Sequence, residues 1–260
     1  MIRVLMIVTF LVLVSCKQVQ EPISISKYGI EVTLFQLEDK QLGYTVKKDG
    51  EAIVDTSLLG IVINDEKLGT NSKIIPLKNN KVVSMYSLNG IKSKAEYNAE
   101  QYVYELEEAN GFKWQLHFQI SDEGVAYRYK VPGQGTQKIT GELTSFQLPA
   151  KTKVWYFERD SDWKLKSHAG EWRSADISKM STVSKMGPVQ GLTLTCELPK
   201  GGYMLLAEAA LYNYSGLRLE AIGNNSFQAN FTEGNVGFEV EGDVLSPWRC
   251  ILLADDLNDL

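Results

Sequence analysis

Residues 112–131 read FKWQLHFQISDEGVAYRYKV. Phe112, Trp114, Leu116, Phe118 and Ile120 alternate with Lys113, Gln115, His117 and Gln119, the period of a strand with one buried face. Asp122, Glu123 and Gly124 interrupt the alternation with turn chemistry, and Val125, Tyr127 and Tyr129 restart it. The stretch predicts a long hairpin with an aromatic-rich inner face, of the kind large β-sandwiches use. His117 falls on its polar face and is expected to be solvated.

The same signal recurs on either side. Apolar residues alternate at Ile30, Val32 and Leu34, at Leu59, Ile61 and Ile63, at Leu192 and Leu194, and at Phe238 and Val240. Turn pairs such as Asp49-Gly50, Asn110-Gly111 and Gly201-Gly202 separate them. Many short strands without a ten-residue helical period predict an all-β fold, a large antiparallel sandwich or barrel in one domain. Residues 156–187 break the rhythm. They are polar and carry Trp163, His168 and Trp172, so they read as a long loop at one rim of the sandwich.

The amino terminus has a different character. Arg3, an apolar run over residues 4–14 and a small residue at Ser15 follow the order of a secretory signal, too short to span a bilayer. Leu13, Val14, Ser15 and Cys16 resemble the bacterial lipobox, in which the cysteine is acylated. The expected organisation is a lipoprotein signal peptide at 1–15, a tether at 16–27 and a folded domain at 28–260. Several acyl chains on Cys16 would hold an exported chain on a membrane, periplasmic or outer-membrane.

Removing the signal moves the net charge from −5 to −6. An acidic chain without basic clusters argues against nucleic acid as a partner. Cys196 and Cys250 sit within apolar alternations and read as buried free thiols, although an exported chain also permits a disulfide.

No nucleophile elbow, phosphate-cradling glycine loop or His/Cys metal cluster is present in the sequence, and no catalytic residue is assigned. Two glutamates stand out. Glu208 is embedded in an apolar strand, where its charge needs an arginine such as Arg128 or Arg218, solvent, or a cation. Glu171 follows Gly170 and precedes Trp172 in the long loop, company that suits a sugar-facing rim. Trp163, His168 and Trp172 are the carbohydrate-facing candidates.

Six motifs occur in order: GY at 43–44, SLLG at 57–60, DEGVAYRY at 122–129, ELTSF at 142–146, AEAALYNY at 207–214 and SPWR at 246–249. Together they resemble the N-terminal domain of glycoside hydrolase family 97, α-glucosidases and α-galactosidases of bacterial polysaccharide utilisation. The resemblance implies a sandwich of the galactose-mutarotase type, followed in the family by a catalytic (β/α)8 barrel and a small β domain. It also implies calcium beside the catalytic site, with a glutamate supplied by the N-terminal domain. Glu171 is the preferred metal ligand and Glu208 its rival, although Gly170 stands where the family has tyrosine. The catalytic carboxylates belong to the barrel, which needs about 250 residues beyond Leu260. The expected role is therefore to pack on that barrel and shape its oligosaccharide cleft, inactive alone. The alternative is a stand-alone carbohydrate-binding lipoprotein using Trp155, Trp163 and Trp172.

Overall fold

The computed structural model describes residues 20–90, 93–158, 170–231 and 234–260. The signal peptide, Cys16, Trp163 and His168 lie outside the described residues. Those described form strands joined by tight turns, with three single-turn 3-10 helices, and every pairing given for the sheets is antiparallel.

One sheet has eight strands, in the order Ile23–Lys27, Ile30–Gln36, Leu42–Lys48, Glu51–Leu58, Ser145–Gln147, Ser226–Phe231, Leu217–Gly223 and Val189–Gly191. A larger sheet runs Glu171–Asp176, Lys153–Glu158, Leu194–Glu197, Tyr203–Ala209, Trp248–Ala254, Gly124–Val131, Lys113–Ser121, Lys94–Glu107 and Lys73–Ser87, with Val244–Leu245 paired beside Gly124–Val131. A four-stranded sheet, Phe238–Glu241, Thr136–Glu142, Ile61–Ile63 and Glu66–Leu68, completes the fold.

The hairpin expected from residues 112–131 lies near the middle of the large sheet. Trp114, Leu116, Phe118 and Ile120 are buried while Gln115, His117 and Gln119 are half-buried. Phe112 precedes the strand and packs against the core from its margin. Gly124 closes the turn at φ +147°, where an added Cβ would sit 2.2 Å from the carbonyl oxygen of Ile251. Only glycine fits there.

Aromatic rings join the two large sheets. Tyr44 and Phe146 from the eight-stranded sheet meet Tyr127, at ring-centroid distances of 5.3 and 6.5 Å. Trp114 packs edge-on against Tyr129 at 5.8 Å, and Phe118 lies 5.5 Å from Tyr127. Buried polar tips find partners, as they must. The Trp114 indole donates to Glu108 at 2.6 Å, and the same oxygen accepts from Ser72 and from the Gly69 backbone.

Two readings need correction. The sheet begins at Ile23, within the segment assigned to the tether, because Ile23 and Ile25 alternate with serines and pack on the core. Residues 156–187 are not one loop. Lys153–Glu158 and Glu171–Asp176 pair as a hairpin, and Ile177 and Met180 after it are buried. Its outer strand carries polar residues because it is a sheet edge, which hides the two-residue period. Cys196 and Cys250 are both free, as their apolar alternation suggested, with Cys196 buried and Cys250 half-buried. They lie opposite Met204 and Ala207 of the strand between them, one on the core face and one on the outer face, so they cannot bridge.

Candidate functional site

The motifs singled out in the sequence converge at one end of the sandwich. The Gly60 amide donates to the Tyr129 hydroxyl at 3.1 Å, and Tyr129 bonds Thr144 at 2.8 Å. The Thr144 hydroxyl donates to Glu142 at 2.7 Å, and Tyr214 donates to the other Glu142 oxygen at 2.9 Å. Arg249 grips Glu142 through Nε and Nη2 and reaches Glu208 through Nη1 at 2.9 Å. Glu208 also accepts from the Leu217 amide. Nearby, Tyr44 donates to the Ser145 carbonyl, the Ser145 hydroxyl oxygen accepts from the Leu58 amide, and the Ser57 hydroxyl oxygen from the Gln147 amide. Ser246 caps Tyr129 by accepting its N–H and donating its own to the Tyr129 carbonyl.

Charge at this depth is held by pairing. Burial works against the Arg249 guanidinium, but the Glu142 carboxylate outweighs it and the arginine pKa is raised. Burial lifts the Glu208 carboxyl above its usual range, with Arg249 pulling the other way. The partner of Glu208 is thus Arg249 rather than Arg128 or Arg218. Arg128 stacks on the Trp248 ring at 4.3 Å, and Arg218 donates to Asn230 and the Phe231 carbonyl. The signal for Arg249 was in the sequence, a charge inside the apolar run from Trp248 to Leu253, and it was missed.

Glu171 stands apart from this network, on the edge strand of the same sheet. It lies opposite Glu158, as Glu208 lies opposite Arg249. The intervening strand ends at Leu194, opposite Leu206, and pairs with Lys153–Glu158 only as far as Trp155, so both glutamates lie beyond its end. Both point toward the eight-stranded sheet, since Val154, Tyr156, Met204 and Leu206 on their side are core residues. Glu171 is exposed and pairs with Arg173 at 2.9 Å. Trp172, the next residue, faces the other side of the sheet, where its ring lies 3.8 Å from that of Phe157. Glu171 and Trp172 therefore do not share a rim.

This end also displays apolar side chains. Leu211 and Tyr212 project from the turn after Ala209, Leu245 from just before Trp248, and Val236 from beside Phe238. All four are exposed, although the turn beneath is fixed by Tyr214, whose ring packs against Phe231 and Phe238. Among the described residues no group of three or more His, Cys, Asp or Glu side chains could hold a metal ion. His117 lies on the outer face of the sheet, opposite Arg128, half-buried rather than solvated, with Nε2 2.9 Å from Gln115 Oε1.

Comparison with known proteins supplies the family and supports the fold. The chain matches the family described as Glycosyl-hydrolase 97 N-terminal over residues 27–260. It is 24% identical over 215 residues to a probable retaining alpha-galactosidase of Streptomyces bingchenggensis (strain BCW-1), covering 81% of this chain and 31% of that protein. The crystal structure of a beta-arabinopyranosidase superposes with a TM-score of 0.76 at 23% identity, covering 87% of this chain and 39% of the other. A glycoside hydrolase family 97 enzyme from Pseudoalteromonas sp. strain K8, in complex with acarbose, also gives a TM-score of 0.76, at 18% identity over 89% of this chain and 35% of the other. The chain spans about a third of the length of the curated relative it matches. With an all-β sandwich whose recurring motifs meet in one buried network, and a family match over nearly its whole described length, this chain belongs to the N-terminal domain family of glycoside hydrolase 97.

Proposed function

We propose that this chain forms the N-terminal wall of a glycosidase acting on α-glucosides or α-galactosides, packs on a catalytic (β/α)8 barrel and contributes a glutamate to a calcium-bearing cleft. The observation that carries this reading is the end of the sandwich where Glu171 and Glu208 lie and Leu211, Tyr212, Val236 and Leu245 are exposed. Apolar side chains held on a rigid turn favour a packed neighbour over open water. Glu171 is the better ligand of the two. Its carboxylate is exposed and engaged only at the surface, whereas both Glu208 oxygens are committed to Arg249 and Leu217. Calcium takes six or more oxygens, so one glutamate from this side leaves most of the shell to the barrel. The oligosaccharide would lie between the two domains. Export and anchoring through an acylated Cys16 belong to the same proposal, and Cys16→Ser should abolish membrane association.

The test is turnover of nitrophenyl α-glucoside and α-galactoside by the chain alone, with and without calcium. No hydrolysis, and a melting temperature that calcium leaves unchanged, are expected. Measurable turnover would sink the proposal. A calcium-induced rise of several degrees would mean a complete site within this chain and remove the barrel from the coordination.

A further inference from the structure

The sandwich has a second cleft, at the opposite end from Glu208. A cavity of about 420 Å³ opens between the turn at Asp49 and Gly50, the turn at Gly201 and Gly202, and the end of the Trp248–Ala254 strand. Tyr203 on its wall and Glu208 are five residues apart on one strand, about 17 Å. The cavity is thus separate from the site described above.

Its chemistry is mixed in a particular way. Ile53 and Leu253 supply an apolar floor, and the half-buried Tyr203 ring supplies a flat wall. At the rim stand Asp122 and Asp255, exposed, whose carboxylates make no hydrogen bond or ion pair among the described residues. Lys200 pairs with Glu51 across the mouth and ties the turns of the two large sheets together. The size lies within the range of small-molecule sites, and an apolar body with a few polar groups at the edge is their usual construction.

These features select the ligand. Carboxylates outnumber ammonium groups around the mouth, which disfavours an anion. The metal-ligating groups do not converge, which disfavours a bare cation. A sugar ring presents an apolar C–H face and a fringe of hydroxyl donors, matching the Tyr203 ring and the free acceptors of Asp122 and Asp255.

We infer that this cleft binds a neutral oligosaccharide, as a non-catalytic site that holds glycan on the sandwich away from the end carrying Glu171. The choice of sugar rests on the glycosidase reading; the cleft itself does not. Titration calorimetry of the full chain with maltotriose and with melibiose tests it. At least one sugar should bind. Tyr203→Ala and Asp255→Asn should each weaken that binding about tenfold or more, whereas Trp172→Ala should leave it unchanged. Asp255→Asn changes an exposed rim group, so it carries the test if Tyr203→Ala folds poorly. Absence of binding by either sugar overturns the inference, as does binding that survives both cleft variants. Binding lost only in Trp172→Ala overturns it too, while leaving the glycosidase reading intact. Conversely, chain-alone hydrolysis would remove that reading without touching the cleft variants' effect on affinity.

Discussion

Arg249 holds Glu142 with two nitrogens, Nε at 3.1 Å and Nη2 at 2.5 Å, and neither side chain has exposed surface. A pair this deep is weak evidence of net stabilisation, because desolvating both charges offsets most of their attraction. Breaking it is another matter. Arg249→Met should strand the Glu142 charge and cost about 3–5 kcal/mol, read from urea denaturation. Adding Glu142→Gln to that variant should recover part of the loss. Strictly additive losses in the double variant would mean that the two side chains are not coupled.

Tyr129 carries the next link. Its hydroxyl receives the Gly60 N–H and bonds Thr144, so Tyr129→Phe leaves a buried amide without a partner. The expected loss is roughly 1–3 kcal/mol, by denaturant midpoint at unchanged slope. Gly60→Ala should be worse. Gly60 sits at φ +147°, and its added Cβ would lie 2.4 Å from the Leu68 carbonyl oxygen. A Gly60→Ala protein as stable as the parent would contradict the geometry.

How much of this was legible beforehand depends on what each residue answers to. The hairpin through Trp114 and Tyr127 was readable because a strand buried on one face writes its period directly into the sequence. The Lys153–Glu158 and Glu171–Asp176 hairpin was not, since its edge strand is solvated on both faces and loses that period. Motif order gave the family, but not the reason for the motifs. Gly60, Tyr129, Glu142, Tyr214 and Arg249 come from five separate stretches, and only folding brings them into one network. For the same reason Glu171 and Trp172, adjacent in the chain, were read as sharing a surface although strand geometry sends them to opposite faces.

The two thiols should be inert in the native chain. Burial pushes Cys196 up to about 12 and Cys250 up to about 11, so neither forms appreciable thiolate at neutral pH. Peptide mapping after brief treatment with iodoacetamide should find both unmodified in buffer and both alkylated in urea. Labelling of Cys196 in buffer, or a Cys196–Cys250 linked peptide, would contradict their placement on opposite faces of the sheet.

His117 makes stability fall on the acid side. Burial is the main cause that lowers its pKa from 6.5 to about 4, reinforced by Arg128 opposite it, by Lys130 on the same strand as Arg128 and by Lys78 two strands away on the other side. The unfolded chain therefore binds a proton that the folded chain refuses between these values. Stability should be full above pH 6.5 and decline as pH falls toward 4. Glu208 works in the reverse sense, since its raised pKa gives stability that is lost as pH climbs above the ordinary carboxylate value. His117→Gln should flatten the acid decline in urea midpoints, and Glu208→Gln should steepen it by removing the opposing contribution. The sequence has two histidines, so NMR can follow each imidazole. The His117 ring should remain neutral at pH 5.5; a midpoint near 6.5 would place it in water and return it to the solvated face that the sequence suggested.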